Sequence, residues 1–226
     1  MIRLTRVWGV LPVKTFATAK RRLSAVLEAP DREALACAMF EDVLAALVHC
    51  KSLEGVMVVT ADNQASAIAS ASGALVLAEP SPIDLNAALL HATTYLADVA
   101  DTGIVVVPAD IPQLSPDAVE CAVENLNSPS AVALARSSDG GTNLLACRPP
   151  DVIQPHFGTG SFDAHCAAAR RAGLEAHVIE WPALELDLDR PGDLVAFLSL
   201  RTKTRTHTSV LHALSRGIIS RAIVSI

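Results

Sequence analysis

The sequence predicts an α/β domain with a mostly parallel sheet covered by helices on both faces, and three observations carry that expectation. Apolar, strand-like runs alternate with stretches of helical periodicity along the chain. The strand-like runs are apolar at nearly every position, which marks strands buried on both faces. The 226 residues are 51% hydrophobic and 19% charged, which is ample for one large core and the reverse of a disordered composition.

The elements follow in order. Val7–Val13 is a short apolar run interrupted by Pro12 and reads as the first strand. Ala17–Leu27 and Arg32–Val48 read as helices, the second after the Pro30-Asp31 turn with Ala, Leu and Met three or four apart. Gly55–Thr60 is β-branched and apolar, hence a strand. Ala65–Ser72 reads as helix, Ala74–Leu77 as strand, Asn86–Ala100 as helix and Gly103–Val107 as strand. Ser115–Leu126 reads as a helix with Ser115 at the N-cap and Pro116 at its first position. Ser130–Ala135 and Asn143–Cys147 read as strands, Ser161–Ala172 as helix, Glu175–Ile179 as strand and Pro191–Leu200 as a last helix. No internal repeat or linker precedes residue 200, so 1–200 is read as one domain and 201–226 as a basic C-terminal extension.

Charge and cysteine usage exclude several function classes. The net charge of −6 argues against bulk nucleic-acid binding. Residues 1–27 nevertheless carry Arg3, Arg6, Lys14, Lys20, Arg21 and Arg22 and no acid. An anion is therefore expected to meet this segment. No apolar run reaches the roughly 18–20 residues of a membrane span, and no signal-type cleavage site follows the start. Five cysteines without a CxxC pair read as reduced thiols. The expectation is a cytoplasmic protein.

Walker A, GxGxxG, HExxH and GxSxG patterns are absent. Ser161 and His165 stand four apart on one helix, but no acid nearby would orient them, which argues against a Ser–His hydrolase. Asp110, in Pro108-Ala109-Asp110-Ile111-Pro112, follows a strand, where open parallel sheets bind ligands; the alternative is a turn aspartate. In Leu186-Asp187-Leu188-Asp189 the two carboxylates share one side of an extended segment and can converge on a cation such as Mg²⁺; the alternative is a solvated loop. Lys14, Lys20, Arg21 and Arg22 are placed to hold a triphosphate, or else form an ordinary solvated helix face. Asp139-Gly140-Gly141-Thr142-Asn143 and Phe157-Gly158-Thr159-Gly160-Ser161 are two glycine loops. The second opens a helix with Ser161 as its expected N-cap, which suggests an anionic second substrate; the alternative for each is a tight turn.

These motifs, together with Pro12-Val13-Lys14, Ala19-Lys20-Arg21-Arg22-Leu23 and Leu85-Asn86-Ala87-Ala88-Leu89, resemble in order the 2-phospho-L-lactate guanylyltransferase family across residues 7–200. The resemblance implies a Rossmann-like nucleotidyltransferase fold and a Mg²⁺-dependent enzyme of coenzyme F420 biosynthesis. Such an enzyme transfers GMP from GTP to 2-phospho-L-lactate, phosphoenolpyruvate or 3-phospho-D-glycerate and releases pyrophosphate. It further implies Asp110, Asp187 and Asp189 as metal ligands, with Lys20 beside them in catalysis. Lys14, Lys20, Arg22 and Asn86 are expected on GTP, and Thr142, Gly158 and Ser161 on the acid. Asp84 stands where the family usually has glycine, and it either accepts a substrate hydroxyl, favouring 3-phospho-D-glycerate, or caps the helix from Asn86. A homodimer is the implied assembly. The other readings are a sugar-phosphate or molybdopterin nucleotidyltransferase, or a nucleotide-binding regulator without catalysis.

Overall fold

Alternation along the central strands sends their side chains to two separate cores. The computed structural model describes residues 6–79, 84–99, 101–200 and 202–215. Strands β1 (Arg6–Val13), β2 (Gly55–Thr60), β3 (Leu75–Ala78), β4 (Thr102–Val106), β5 (Ala131–Arg136), β6 (Thr142–Arg148) and β7 (His177–Val178) form one sheet in the order β3-β2-β1-β4-β6-β5-β7. The pairs β1–β2, β1–β4, β2–β3 and β5–β7 are parallel, and β6 runs antiparallel to both β4 and β5.

On one face Val7, Leu11, Val56, Val58 and Val105 pack beneath α1 (Ala29–His49), α2 (Asn63–Ala71), α4 (Pro116–Glu124), α6 (Pro191–Ser199) and α7 (Arg205–Ser215). On the other, Val10, Met57, Val59, Ile104 and Val106 pack against α3 (Leu85–Ala97) and α5 (Ser161–Arg171). Every residue of β4 is buried, as its continuous apolar run predicts. The predicted α/β architecture is the one observed. The five cysteines are free thiols, and no helix among the described residues is long and apolar enough to cross a membrane.

Two local expectations fail. Residues 17–27 do not form a helix but two single 3₁₀ turns, Phe16–Thr18 and Arg21–Leu23, separated by Lys20 in the left-handed conformation. Phe16 and Leu23 are buried, and one turn of 3₁₀ helix suffices to bury each. Ser161 is not an N-cap either: Gly160 holds that position at φ 68°, and the Ser161 hydroxyl turns inward. Ser115 does cap α4, accepting the Ala118 N–H.

The segment after residue 200 continues into α7, which lies on α1 with Val210 and Ala213 buried. Asp42 of α1 accepts the backbone N–H groups of Arg205 and Thr206 and the Thr206 hydroxyl, capping α7 from a distance of more than 160 residues in sequence. Arg3 of the N-terminal cluster, and residues 216–226 of the C-terminal extension, lie outside the described residues.

Candidate active site

Strand order reverses between β1 and β4, and the loops leaving their carboxyl ends open a cleft where such sheets bind ligands. The loop after β1 is fixed at its start. Asp62 accepts the Phe16 N–H at 3.0 Å while its other oxygen caps α2, and Phe16 packs on Phe40. Lys14 stays exposed at the mouth. Lys20 then adopts φ 52°, a conformation costing roughly 1–2 kcal/mol for a residue with a Cβ. Its side chain, only 9% exposed, reaches Asp110 Oδ2 at 2.9 Å and approaches Asp189 Oδ1 at 3.9 Å.

The Asp110 turn and the Asp187–Asp189 segment are joined by their backbones. The Leu188 N–H donates to the Asp110 carbonyl at 3.0 Å. Leu188 is fully buried between the two aspartates, and Asp193 accepts the Asp189 and Arg190 N–H groups, fixing the segment to the start of α6. Arg22, exposed, pairs with Asp189 Oδ2. Asp187 has no ion pair of that kind among the described residues. Burial, and then the negative charge of Asp110, push its carboxyl up to about 6. A cavity of about 310 Å³ runs along this cluster, lined by Lys14, Lys20, Met39, Leu85, Asp110 and Asp189 among others.

The two glycine loops build a second cluster. Asp139 Oδ1 accepts the Ser137 hydroxyl and the Gly141 N–H, which pins the β5–β6 turn. The Ser137 bond first, and the Gly141 bond next, hold the Asp139 carboxyl below the usual carboxylate range. Thr142 opens β6, 4% exposed, with its hydroxyl 3.1 Å from Ser161 Oγ and 2.9 Å from His165 Nδ1. Gly158, at φ 136°, and Gly160 shape the exposed loop before α5. The Phe162 N–H faces the Gly140 carbonyl at 3.4 Å, so the two loops touch. The Arg136 guanidinium lies 5.1 Å above the Phe162 ring at the edge of this cluster.

The sequence-predicted residues therefore fall into two groups. Lys20, Arg22, Asp110, Asp187 and Asp189 are brought together, with Lys14 on the wall of the adjoining cavity. Thr142, Gly158 and Ser161 gather at the second cluster. Asn86, expected on GTP, holds the backbone of Phe157 through its side-chain amide nitrogen and oxygen, at 3.0 and 2.7 Å. Asp84 caps α3 by accepting the Asn86 and Ala87 N–H groups on one oxygen.

Sequence reasoning passed over Asp62, Asp139 and the role of His165. The first two follow a recognisable pattern, an aspartate two residues before a backbone N–H that it accepts. His165 was visible only as a partner four residues from Ser161, because Thr142, which stands between them, comes from another strand.

Among the described residues no three His, Cys, Asp or Glu side chains already stand as a metal ligand set, and the Lys20 ammonium lies 2.9 Å from Asp110 and 3.9 Å from Asp189. The donor set still suits Mg²⁺. It is all carboxylate oxygen, and the charge of Lys20 only partly offsets the burial of Asp187 and its repulsion by Asp110.

Comparison with known proteins gives the family and the fold. A phosphoenolpyruvate guanylyltransferase of Roseiflexus castenholzii is 40% identical over 189 residues, covering 84% of this chain and 86% of that one. A 3-phospho-D-glycerate guanylyltransferase of Phenylobacterium zucineum is 40% identical over 192 residues, covering 83% and 87%. Among solved structures, a proposed nucleotide-diphospho-sugar transferase of Desulfovibrio desulfuricans G20 superposes with a TM-score of 0.77 over 97% of this chain and 96% of that one, at 19% identity. A cytidylyltransferase of Leptospira borgpetersenii gives 0.59 over 97% of each chain, at 13% identity. These two likenesses carry the fold, the Rossmann-like nucleotidyltransferase fold. The sequence profile of the family described as guanylyl transferase, CofC-like, matches residues 7–215, and the chain belongs to that family of nucleotidyltransferases.

Proposed function

We propose that this guanylyltransferase joins GMP from GTP to a phosphorylated three-carbon acid and releases pyrophosphate, as a step in coenzyme F420 biosynthesis. The observation that carries the reading is the Lys20–Asp110–Asp187–Asp189 cluster at the strand-order switch, with its only partly compensated Asp187. The relatives named above act on phosphoenolpyruvate or on 3-phospho-D-glycerate, and both are candidate acids for this chain.

A phosphate nucleophile is already ionised near neutral pH, so no side chain is needed as general base. Catalysis then reduces to alignment and charge neutralisation. Asp110, Asp187 and Asp189 would hold Mg²⁺, which when bound neutralises charge on the phosphates. In this scheme Lys20, Lys14 and Arg22 attract the triphosphate to the cavity. The hydroxyls of Thr142 and Ser161, with the loop at Gly158, receive the acid. Asn86 supports the acid side indirectly, by holding the loop at Phe157.

The test is direct. The purified chain is incubated with Mg²⁺, each of the four nucleoside triphosphates and each of the three acids, and product mass and pyrophosphate are followed. A guanylylated phosphoenolpyruvate or 3-phosphoglycerate is the expected product. Turnover of another nucleotide in preference to GTP, or none with any acid, would refute the reading.

A further inference from the structure

His165 is fully buried on α5, and both of its ring nitrogens are engaged. The His156 backbone N–H lies 2.9 Å from Nε2, and Thr142 Oγ1 lies 2.9 Å from Nδ1. A backbone N–H can only donate, so Nε2 must be the bare acceptor and the neutral ring carries its proton on Nδ1. That proton is donated to Thr142 Oγ1, which is also in contact with Ser161 Oγ at 3.1 Å.

Three protons enter this network, from Nδ1 and from the two hydroxyls, and it contains two hydrogen bonds. Whichever hydroxyl donates to the other, one hydroxyl proton is left over. Both hydroxyls are buried, Thr142 at 4% and Ser161 at 1% exposure, where a polar proton calls for an acceptor. With the opposite tautomer, Nε2–H would face the His156 N–H, two donors at one contact.

We propose that His165 is a positioning residue for the acid substrate: by donating from Nδ1 it makes the Thr142–Ser161 pair a net hydrogen-bond donor to one anionic oxygen of that substrate. The inference rests on the reading of Thr142 and Ser161 as acid contacts. The supports of the ring lead back through the fold. His156 is followed by Phe157, whose ring meets that of His165 edge-on at 5.1 Å and whose backbone is held by Asn86 of α3. The imidazole is also kept neutral, since burial first and the neighbouring His156 second lower its pKa to about 4.

The test has two parts on the full chain. In ¹⁵N-histidine NMR at neutral pH, the signal lost in His165→Asn identifies His165, and the Nδ1–H tautomer is expected; the Nε2–H tautomer overturns the proposal. In kinetics with phosphoenolpyruvate and with 3-phospho-D-glycerate at saturating GTP, His165→Leu should raise the acid KM about tenfold and leave the GTP KM unchanged. His165→Asn, which keeps a donor near the Nδ1 position, should recover most of the loss. The loss should vanish in a Thr142→Val background. Additive losses, or equal rises in both KM values, overturn the proposal. Thr142→Val with an unchanged acid KM refutes the acid-contact reading itself, which the NMR result would leave distinguishable. If His165→Leu does not fold, the tautomer decides.

Discussion

The carboxylate cluster below β1 and β4 and the hydroxyl–imidazole cluster between β6 and α5 lie in the same molecule but are built on opposite principles. The first is electrostatically incomplete, because Lys20 and Arg22 attend to Asp110 and Asp189 while Asp187 stays half-buried beside a like charge. The second is ordered internally, with both ring nitrogens of His165 engaged by Thr142 and the His156 amide and Thr142 in contact with Ser161, and it leaves one hydroxyl proton over. A site short of positive charge gains stability when a cation arrives. A site already ordered, with one donor held ready, gains precision instead, since its groups need no rearrangement. The two halves of a transfer reaction call for these two qualities, charge neutralisation at the triphosphate and alignment at the acceptor.

The sharpest way to break this comparison is Asp187→Asn, which removes charge with little change in volume. Turnover should fall at least about 10²-fold, as for loss of a single electrostatic catalytic group. Stability should move the other way. Because its folded pKa is raised from 3.8 to about 6, ionised Asp187 destabilises the metal-free fold, and the effect grows as pH rises from about 4 through 6. The variant should gain stability at pH 7, by well under the roughly 3 kcal/mol of the full shift because solvent screens a half-buried carboxylate, and lose that pH slope. Thermal melts from pH 4 to 8 without metal, beside turnover assays, check both; full activity or an unchanged melt would place Asp187 outside the charge-deficient site.

On the other side, His165 predicts a pH dependence of opposite sign. Its folded pKa of about 4 lies below the ordinary histidine value of 6.5, so the unfolded chain takes up a proton first as pH falls. The stabilising contribution is complete above 6.5 and is lost progressively toward 4, by about 3 kcal/mol. His165→Asn should flatten that acid limb in denaturant titrations. An acid limb unchanged by the substitution would mean that the ring is not held neutral by its surroundings.

A smaller effect is expected from Lys20→Met, which keeps the buried stem and removes the ammonium. GTP affinity should fall about tenfold, near 1.4 kcal/mol, with little effect on the acid KM. Equal weakening of both substrates, measured by separate titrations, would join the two clusters into one.

What the sequence disclosed follows the same division. The strands and most helices were legible because apolar continuity and 3.6-residue periodicity are local signals, and the aspartates were legible because ligand loops follow strand ends. The segment after β1 was misread. Its run from Ala17 to Leu27 is compatible with a helix, but burying Phe16 and Leu23 against the core and turning Lys20 into the acidic cluster require two short turns. The second cluster was legible only in part, because its hydrogen bonds join β6, α5 and the loop at His156, and pairings between distant segments leave no local trace. The cap of α7 left no local trace likewise, since it is Asp42 of α1.

The smallest effect concerns Asp84, where the resemblance has glycine. One carboxylate oxygen already accepts both the Asn86 and the Ala87 N–H, at 2.8 and 3.1 Å. The backbone there, at φ −70° and ψ 162°, suits any residue at an N-cap. Glycine at an N-cap costs only a few tenths of a kcal/mol relative to aspartate, so Asp84→Gly should scarcely shift the melting temperature. Capping engages only that one oxygen, and the other is the one that could accept the free hydroxyl of 3-phospho-D-glycerate. If the cap is its whole role, the ratio of kcat/KM for 3-phospho-D-glycerate and phosphoenolpyruvate should change by less than about twofold in the variant, since no buried partner of the hydroxyl has been lost. A swing of about tenfold toward phosphoenolpyruvate would instead show that the second oxygen reads the substrate hydroxyl, and the acid site would then extend from Thr142 and Ser161 to the start of α3. Competition between the two acids in one reaction, resolved by product mass, measures that ratio directly.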